Sequence, residues 1–160
     1  MFDWKLFIKA GHAIFTVENV KTGNRFTFKV SKHKEKDLWF VGVLSGPKNT
    51  SDYQYLGTIF DKDFRLTRKS RMSEAAQSYK VFKWVNDILN NGEDLPEDVK
   101  IYHAGRCGIC GRTLTVPESI ECGFGPVCIV QPNSHIPLET AKQIQKLFKV
   151  KNELDNCNID

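Results

Sequence analysis

The chain has 160 residues, of which 41% are hydrophobic, 26% charged and 11% aromatic, and its formal net charge is +4. This composition excludes globally disordered, collagen-like and coiled-coil classes. No apolar run approaches the roughly 20 residues that span a membrane, and the charged start MFDWKLFIKAGH lacks a signal-peptide cleavage pattern. We therefore expect a cytoplasmic protein without a membrane partner, with one domain or one domain and a small appended module.

The first half of the chain has the composition of β-strands. Segments rich in aromatic and β-branched residues alternate with turn sequences. They are Ala13–Val20, Arg25–Val30, Leu38–Leu44, Tyr53–Phe60 and Phe64–Thr67. The pair Gly23-Asn24, between the first two, predicts the positive φ angles of a tight hairpin. Together they predict an antiparallel β-meander of about five strands.

A helix is predicted in the middle of the chain, from about Ser73 to Asn91, because apolar residues recur there at helical spacing. Ser73 is the expected N-cap, and Gly92 is expected to end the helix. The apolar face of this helix needs a partner, and the sheet is available to cover it. The sequence therefore predicts an α+β fold, with a further helix over residues 138–150.

Most of the cysteines are clustered. They are Cys107, Cys110, Cys122 and Cys128, with Cys157 alone near the C-terminus and predicted to be a free thiol without function. A secreted disulfide scaffold would spread its cysteines along the chain, so the cluster indicates metal binding instead. Cys107-x2-Cys110 followed by Gly111 is typical of a zinc knuckle, in which two thiolates on one turn point into one site.

A tetrahedral metal site takes four ligands, and five residues compete for the positions. One set is Cys107, Cys110, Cys122 and Cys128, and the other replaces Cys122 with His103. Zinc is expected rather than iron, because small sites of thiolate or mixed ligands are usually structural zinc sites. Four protein ligands would close the coordination shell, which argues against metal catalysis.

Between His103 and Cys128 the chain reads HAGRCGICGRTLTVPESIECGFGPVC. This segment resembles the C-terminal module of small bacteriophage and mobile-element proteins, with the signature H-x-G-x-C-x-x-C-G-R-x-L-T-x-P-x-S-x-x-x-G-x-G-P-x-C. The signature includes the histidine, while the position of Cys122 varies, so the resemblance implies His103, Cys107, Cys110 and Cys128 as ligands. That module is a domain of unknown function, so the resemblance implies a metal and a phage or mobile-element origin but no activity.

Basic residues are concentrated near the start of the predicted helix. Between Lys62 and Lys83 there are seven basic and two acidic residues. Four of the basic residues lie in the sequence RLTRKSR and are Arg65, Arg68, Lys69 and Arg71. The neighbouring sheet carries Trp39, Tyr53 and Tyr55. Such a segment can follow a phosphate backbone while bases stack on the rings; the alternative is a solvated connection, with the rings buried under the helix.

Two further arginines, Arg106 and Arg112, flank the knuckle. They are candidates for phosphate contacts, or for hydrogen bonds to carbonyl groups inside the module. No Ser, His and acid set for nucleophilic catalysis and no phosphate-binding loop is recognisable in the sequence. We therefore expect no enzyme and no small-molecule substrate.

The sequence predicts a non-catalytic zinc-binding protein that binds nucleic acid through a basic surface. The alternative is a protein-interaction module, such as a phage factor that inhibits a defence or transcription component in the cytoplasm of a bacterial host. The expected domains are an antiparallel sheet packed on one helix over residues 1–99, a zinc-binding module with the C-terminal helix over residues 100–150, and a flexible tail over residues 151–160.

Overall fold

A computed structural model describes residues 2–125, 128, 139, 142, 143 and 146. The helices and strands in chain order are α1 (Trp4–Ile8), β1 (His12–Asn19), β2 (Arg25–Lys32), β3 (Leu38–Leu44), β4 (Tyr53–Phe60), β5 (Asp63–Arg65), α2 (Gln77–Asn90), β6 (Val99–His103) and α3 (Pro117–Cys122). The strands form one antiparallel sheet in the order β5-β4-β3-β2-β1-β6. This architecture confirms the predicted class of a mainly antiparallel sheet with a few helices.

The predicted C-terminal helix over 138–150 lies mostly outside the described residues, as do the tail over 151–160 and Cys157. The described positions of that helix, Glu139, Lys142, Gln143 and Lys146, are helical and exposed. None of the helices in the described part of the chain is long and apolar enough to cross a membrane.

One face of the sheet is buried under α1 and α2. Side chains alternate along each strand, so paired positions such as Phe15 and Phe28 point to the same side. The α2 ring of Phe82 packs on this side, with its centroid 5.1 Å from that of Phe28 and 4.6 Å from that of Phe64. Phe7 of α1 is fully buried in the same cluster. Side chains of α1 and α2 therefore pack on this face of the sheet.

The position of α2 is fixed by the turn between β4 and β5. Asp61 and Lys62 have φ angles of 48° and 71°, as in a two-residue hairpin. The Lys62 carbonyl oxygen accepts hydrogen bonds from the side-chain amides of Asn86 (3.0 Å) and Asn90 (2.8 Å). These bonds join the C-terminal half of α2 to the end of the sheet.

Two local predictions are wrong. Ser73 is not the N-cap, because α2 begins at Gln77 and the cap position is Ala76, with an extended backbone and no side-chain bond. The Ser73 hydroxyl instead accepts a hydrogen bond from the Ala75 N–H in a preceding turn. In the first hairpin only Gly23, at φ 77°, has a positive φ angle, and Asn24 does not.

The strand β6 was not among the strands predicted from the sequence. The strand pairs with β1, with Val17 opposite Ile101 and Phe15 opposite His103. The expected domain boundary after residue 99 falls at the first residue of this strand. A single hydrophobic cluster contains side chains from both sides of that boundary, including Phe15 and Leu114.

The other face of the sheet, which we call the open face, has no helix over it among the described residues. Phe40 points to this side and is 40% exposed, and half-buried Tyr53 and Tyr55 lie on the neighbouring strand. Trp39 points the opposite way into the core, where its indole N–H donates to the Lys9 carbonyl at 3.1 Å. Trp39 is therefore unavailable for stacking, and Phe40 takes the exposed position on this strand.

Candidate metal centre and basic loop

Three of the predicted ligands converge on one point. The Sγ atoms of Cys107, Cys110 and Cys128 all lie within 4.8 Å of one another. Zinc bound tetrahedrally at about 2.3 Å from each sulfur would place the sulfurs about 3.8 Å apart. The arrangement therefore fits a metal ion. We call these residues the cysteine cluster.

The first two cysteines lie on a tight turn that the sequence builds with glycine. The Gly111 N–H donates to the Cys107 carbonyl at 2.8 Å, and the Cys107 N–H donates to the Arg112 carbonyl at 2.7 Å. Gly111 has a φ of 77°, which favours glycine. Cys107 is fully buried and Cys110 is exposed, so the turn holds one thiol inside and the other at the surface.

A second turn, over residues 123–125 directly after α3, contacts the first turn. Pro117 begins this helix, and Gly123 ends it at φ 82°, where its own N–H donates to the Ser119 carbonyl. The Gly123 carbonyl accepts the Gly108 N–H at 2.9 Å. The Gly125 N–H donates to Cys107 Sγ at 3.2 Å. Direct hydrogen bonds therefore hold the two turns together beside the thiols.

The surroundings of Cys110 and Cys128 shift the pKa values of these two thiols in opposite directions. Burial alone would raise the pKa of Cys110, but hydrogen bonds from the Arg112 backbone and from the other two thiols lower it below its ordinary value. Burial, followed by the interaction with Cys110, raises the pKa of Cys128 to about 12. A metal ion must displace the Cys128 proton, so metal affinity falls as the pH is lowered.

His103 lies outside the cysteine cluster. Its Nδ1 accepts the Gly105 N–H at 3.0 Å, so its Nε2 carries the proton and donates to the Ile120 carbonyl. Its ring lies 5.4 Å from that of Phe2 and 5.8 Å from that of Phe7. In this structure both nitrogens of His103 are engaged, Nδ1 by Gly105 just after β6 and Nε2 by Ile120 of α3, and coordination of a metal would require one of these bonds to break.

Cys122, the other candidate for the fourth ligand, also lies outside the cluster. Its thiol is half-buried and lies within hydrogen-bonding distance of the carbonyls of Ser119 (3.8 Å) and Phe124 (3.7 Å). The structure thus brings together the three residues shared by both predicted ligand sets and adds neither of the alternatives.

The cysteine cluster is attached to the sheet by a backbone hydrogen bond and by the packing of Phe7. The His12 N–H of β1 donates to the Gly108 carbonyl at 2.7 Å. Fully buried Phe7 lies on the glycines of the two turns, since a Cβ at Gly108 or Gly123 would be 2.8 Å from its ring. Neither α1 nor this contact was predicted, because a five-residue helix leaves almost no periodic signal.

The predicted phosphate-binding residues separate into two groups. Residues 65–71, which we call the basic loop, contain Arg65, Arg68, Lys69 and Arg71, and all four side chains are exposed. Arg65 forms a 3.1 Å ion pair with Asp63. Near the knuckle, Arg112 is exposed, whereas half-buried Arg106 donates to the Gly111 carbonyl at 3.1 Å. Arg106 therefore supports the knuckle internally, which was one of its two expected roles.

The basic loop is held against β4. The Arg71 N–H donates to the Tyr55 carbonyl at 3.1 Å, and the Thr67 hydroxyl donates to the Tyr55 hydroxyl at 3.0 Å. A turn closed by Thr67 and Ser70 places Arg68 and Lys69 at its tip. The loop thus presents two exposed cations at the border of the open face.

Residues 101–130 match the model of a family of unknown function (DUF6011). The matched segment contains the cysteine cluster and both candidates for the fourth ligand. No curated protein and no solved structure matches the chain. The predicted resemblance is thus confirmed only in its coarse form: the segment matches a family of unknown function, and in this chain it contains a cysteine cluster that could hold a metal ion.

Proposed function

We propose that this chain is a non-catalytic zinc-binding protein that binds nucleic acid through its basic loop. The observation that carries the proposal is the anchoring of this loop on Tyr55, which holds Arg68 and Lys69 exposed beside the open face of the sheet. Positive side chains held in one place neutralise phosphates and release counterions. The phage or mobile-element origin and the bacterial host rest on the resemblance of the motif alone.

Zinc in this proposal has a structural role. Thiolates are the ligands that structural zinc sites prefer, and the N–H groups of Ile109 and Gly125 are directed at Cys107 Sγ, at 3.4 Å and 3.2 Å. Bound zinc would add its binding free energy to the folding of a segment that is too short to build its own core.

The two candidate ligand sets predict different zinc affinities for the variants His103→Ala and Cys122→Ser. If His103 is the fourth ligand, His103→Ala lowers zinc affinity about 10-fold or more, while Cys122→Ser retains wild-type affinity. Competition with a chromogenic zinc chelator measures both affinities. Visible absorption of the cobalt-substituted proteins distinguishes three thiolate ligands from four. The reverse pattern would assign Cys122 and overturn the set implied by the motif.

Nucleic-acid binding is tested with the double variant Arg68→Ala/Lys69→Ala. Removing two phosphate contacts is expected to reduce the slope of log K against log salt by about 1.4 for single strands. Fluorescence anisotropy with labelled oligonucleotides over a salt series measures this slope. Lys80→Ala/Lys83→Ala is the matched control, because it removes the same charge from exposed positions on α2.

Binding that is absent at low salt, or a slope that is equal in the two double variants, would contradict the proposal.

A second candidate function, protein binding, is favoured by a groove of about 520 Å³ between α2 and the first hairpin. Apolar side chains that line it include Phe26, Val81 and Trp84. Recovery of one host protein by the purified chain after nuclease treatment, without oligonucleotide binding, would support this second function.

A further inference from the structure

The open face carries aromatic side chains directly beside the basic loop. Phe40 and Tyr55 lie with their ring centroids 6.2 Å apart, nearly edge to face. Together with Arg68, Lys69, Ser70 and Arg71 they line an open concavity of about 650 Å³. One concavity thus combines a ring that is 40% exposed with three cationic side chains.

The Tyr55 ring is held in place by one of the hydrogen bonds that hold the loop. The Tyr55 hydroxyl accepts a hydrogen bond from the Thr67 hydroxyl at 3.0 Å, so the ring cannot move independently of the loop. Phe40 also packs against the ring of His33, at 5.7 Å between centroids. A ring whose orientation is already fixed loses little conformational entropy when a ligand stacks on it.

The aromatic and basic character continues across the open face. Tyr53 points to the same side as Tyr55, and the Nζ atom of Lys29, on β2 beyond β3, lies 5.7 Å from the Tyr53 ring centroid. Gly42 makes room for this ring, because a Cβ there would lie 3.1 Å from the Tyr53 Cβ. A second groove, of about 410 Å³, runs from Tyr53 to Arg106. The face therefore carries cations at both ends, with tyrosines between them.

We propose that the open face binds single-stranded nucleic acid, with a base stacked on Phe40 and the backbone held by Arg68 and Lys69. This inference rests on the proposed function and specifies its ligand class. Rings beside cations favour a single strand, because its bases expose their faces, whereas those of a duplex are already stacked. RNA and DNA strands share this chemistry, so both are compared in the test.

The test measures binding of the full chain to a labelled oligodeoxythymidylate, an oligouridylate and a duplex of equal length. Phe40→Leu is expected to weaken single-strand binding about 5-fold or more, since stacking contributes that much per base. The salt slope of this variant should stay unchanged, because no phosphate contact is lost. Phe40→Tyr should restore binding, since it retains an aromatic ring.

Trp84→Leu is the matched control, because Trp84 is 39% exposed on α2, which covers the other side of the sheet. Thermal unfolding checks that every variant is folded. Equal affinity for the duplex and the single strand, or wild-type affinity of Phe40→Leu, overturns the stacking inference. If the Arg68→Ala/Lys69→Ala variant still lowers the salt slope in that case, the proposed function stands. Absence of binding to any of the oligonucleotides overturns both.

Discussion

Removing zinc is expected to lower the free energy of unfolding by at least about 4 kcal/mol relative to the protein in excess zinc. A ligand that binds only the folded state contributes that much when its concentration is about 1,000 times Kd. The cluster shares the protein core, because Cys107 and Phe124 belong to the same buried cluster as the strands. Loss of the metal should therefore reduce the stability of the whole protein. Denaturant unfolding with and without a strong chelator measures the difference.

Two serine variants distinguish the stability that is lost with the metal from the stability that is lost with the packing around the thiols. Cys110 is exposed, so Cys110→Ser should lose zinc and otherwise match the chelated wild type. Cys107 is fully buried and accepts the N–H groups of Ile109 and Gly125, so Cys107→Ser should be less stable than the chelated wild type. Cys157→Ser is the control and should retain one equivalent of metal by mass spectrometry. Unchanged unfolding under chelation, with no metal in the purified protein, would contradict the proposed centre.

The second large effect is expected at Phe7. Phe7→Ala should lower the free energy of unfolding by about 3–5 kcal/mol, because truncating a buried aromatic residue leaves a cavity that the surrounding structure only partly fills. The ring is fully buried, and its centroid lies 5.6 Å from that of Trp4 and 5.9 Å from that of Phe124. Since the same ring lies on the two turns of the cysteine cluster, zinc affinity should fall as well.

Phe60→Ala is the control for this substitution, because Phe60 is 62% exposed and its loss should change stability by about 0.5 kcal/mol or less. Chemical denaturation of the zinc-loaded proteins measures both variants, and chelator competition measures zinc affinity. A loss at Phe7 as small as that at Phe60 would mean that α1 does not support the cluster.

The predictions that succeeded rest on local patterns. β3 was predicted with the bounds that the structure shows, Leu38–Leu44, and Gly92 follows the end of α2 with a φ of 70°. Runs of β-branched and aromatic residues between turn sequences need no distant partner to be recognised. The knuckle was recognisable for the same reason, because its two thiols and its glycine lie within five residues of sequence, 107–111.

The predictions that failed depend on contacts between distant segments. The near-continuous apolar run of β3 hides its alternation, so the sequence could not tell that Trp39 enters the core while Phe40 is exposed. The strand β6 is recognisable only through its pairing with β1, since its own five residues are no more apolar than a linker. In both cases the neighbouring strand decides which side chains are buried.

The sequence by itself determined the sheet-and-helix composition, the hairpins and the three cysteines common to both ligand sets, because turn residues and ligand spacing act within a few positions of the chain. Only the tertiary structure decided that His103 bridges Gly105 and Ile120, that Phe7 joins the cluster to the sheet and that Phe40 lies beside the basic loop. These arrangements depend on packing between segments far apart in the chain. Such packing is set by the shape and burial of the whole molecule, and periodicity within one segment does not report it.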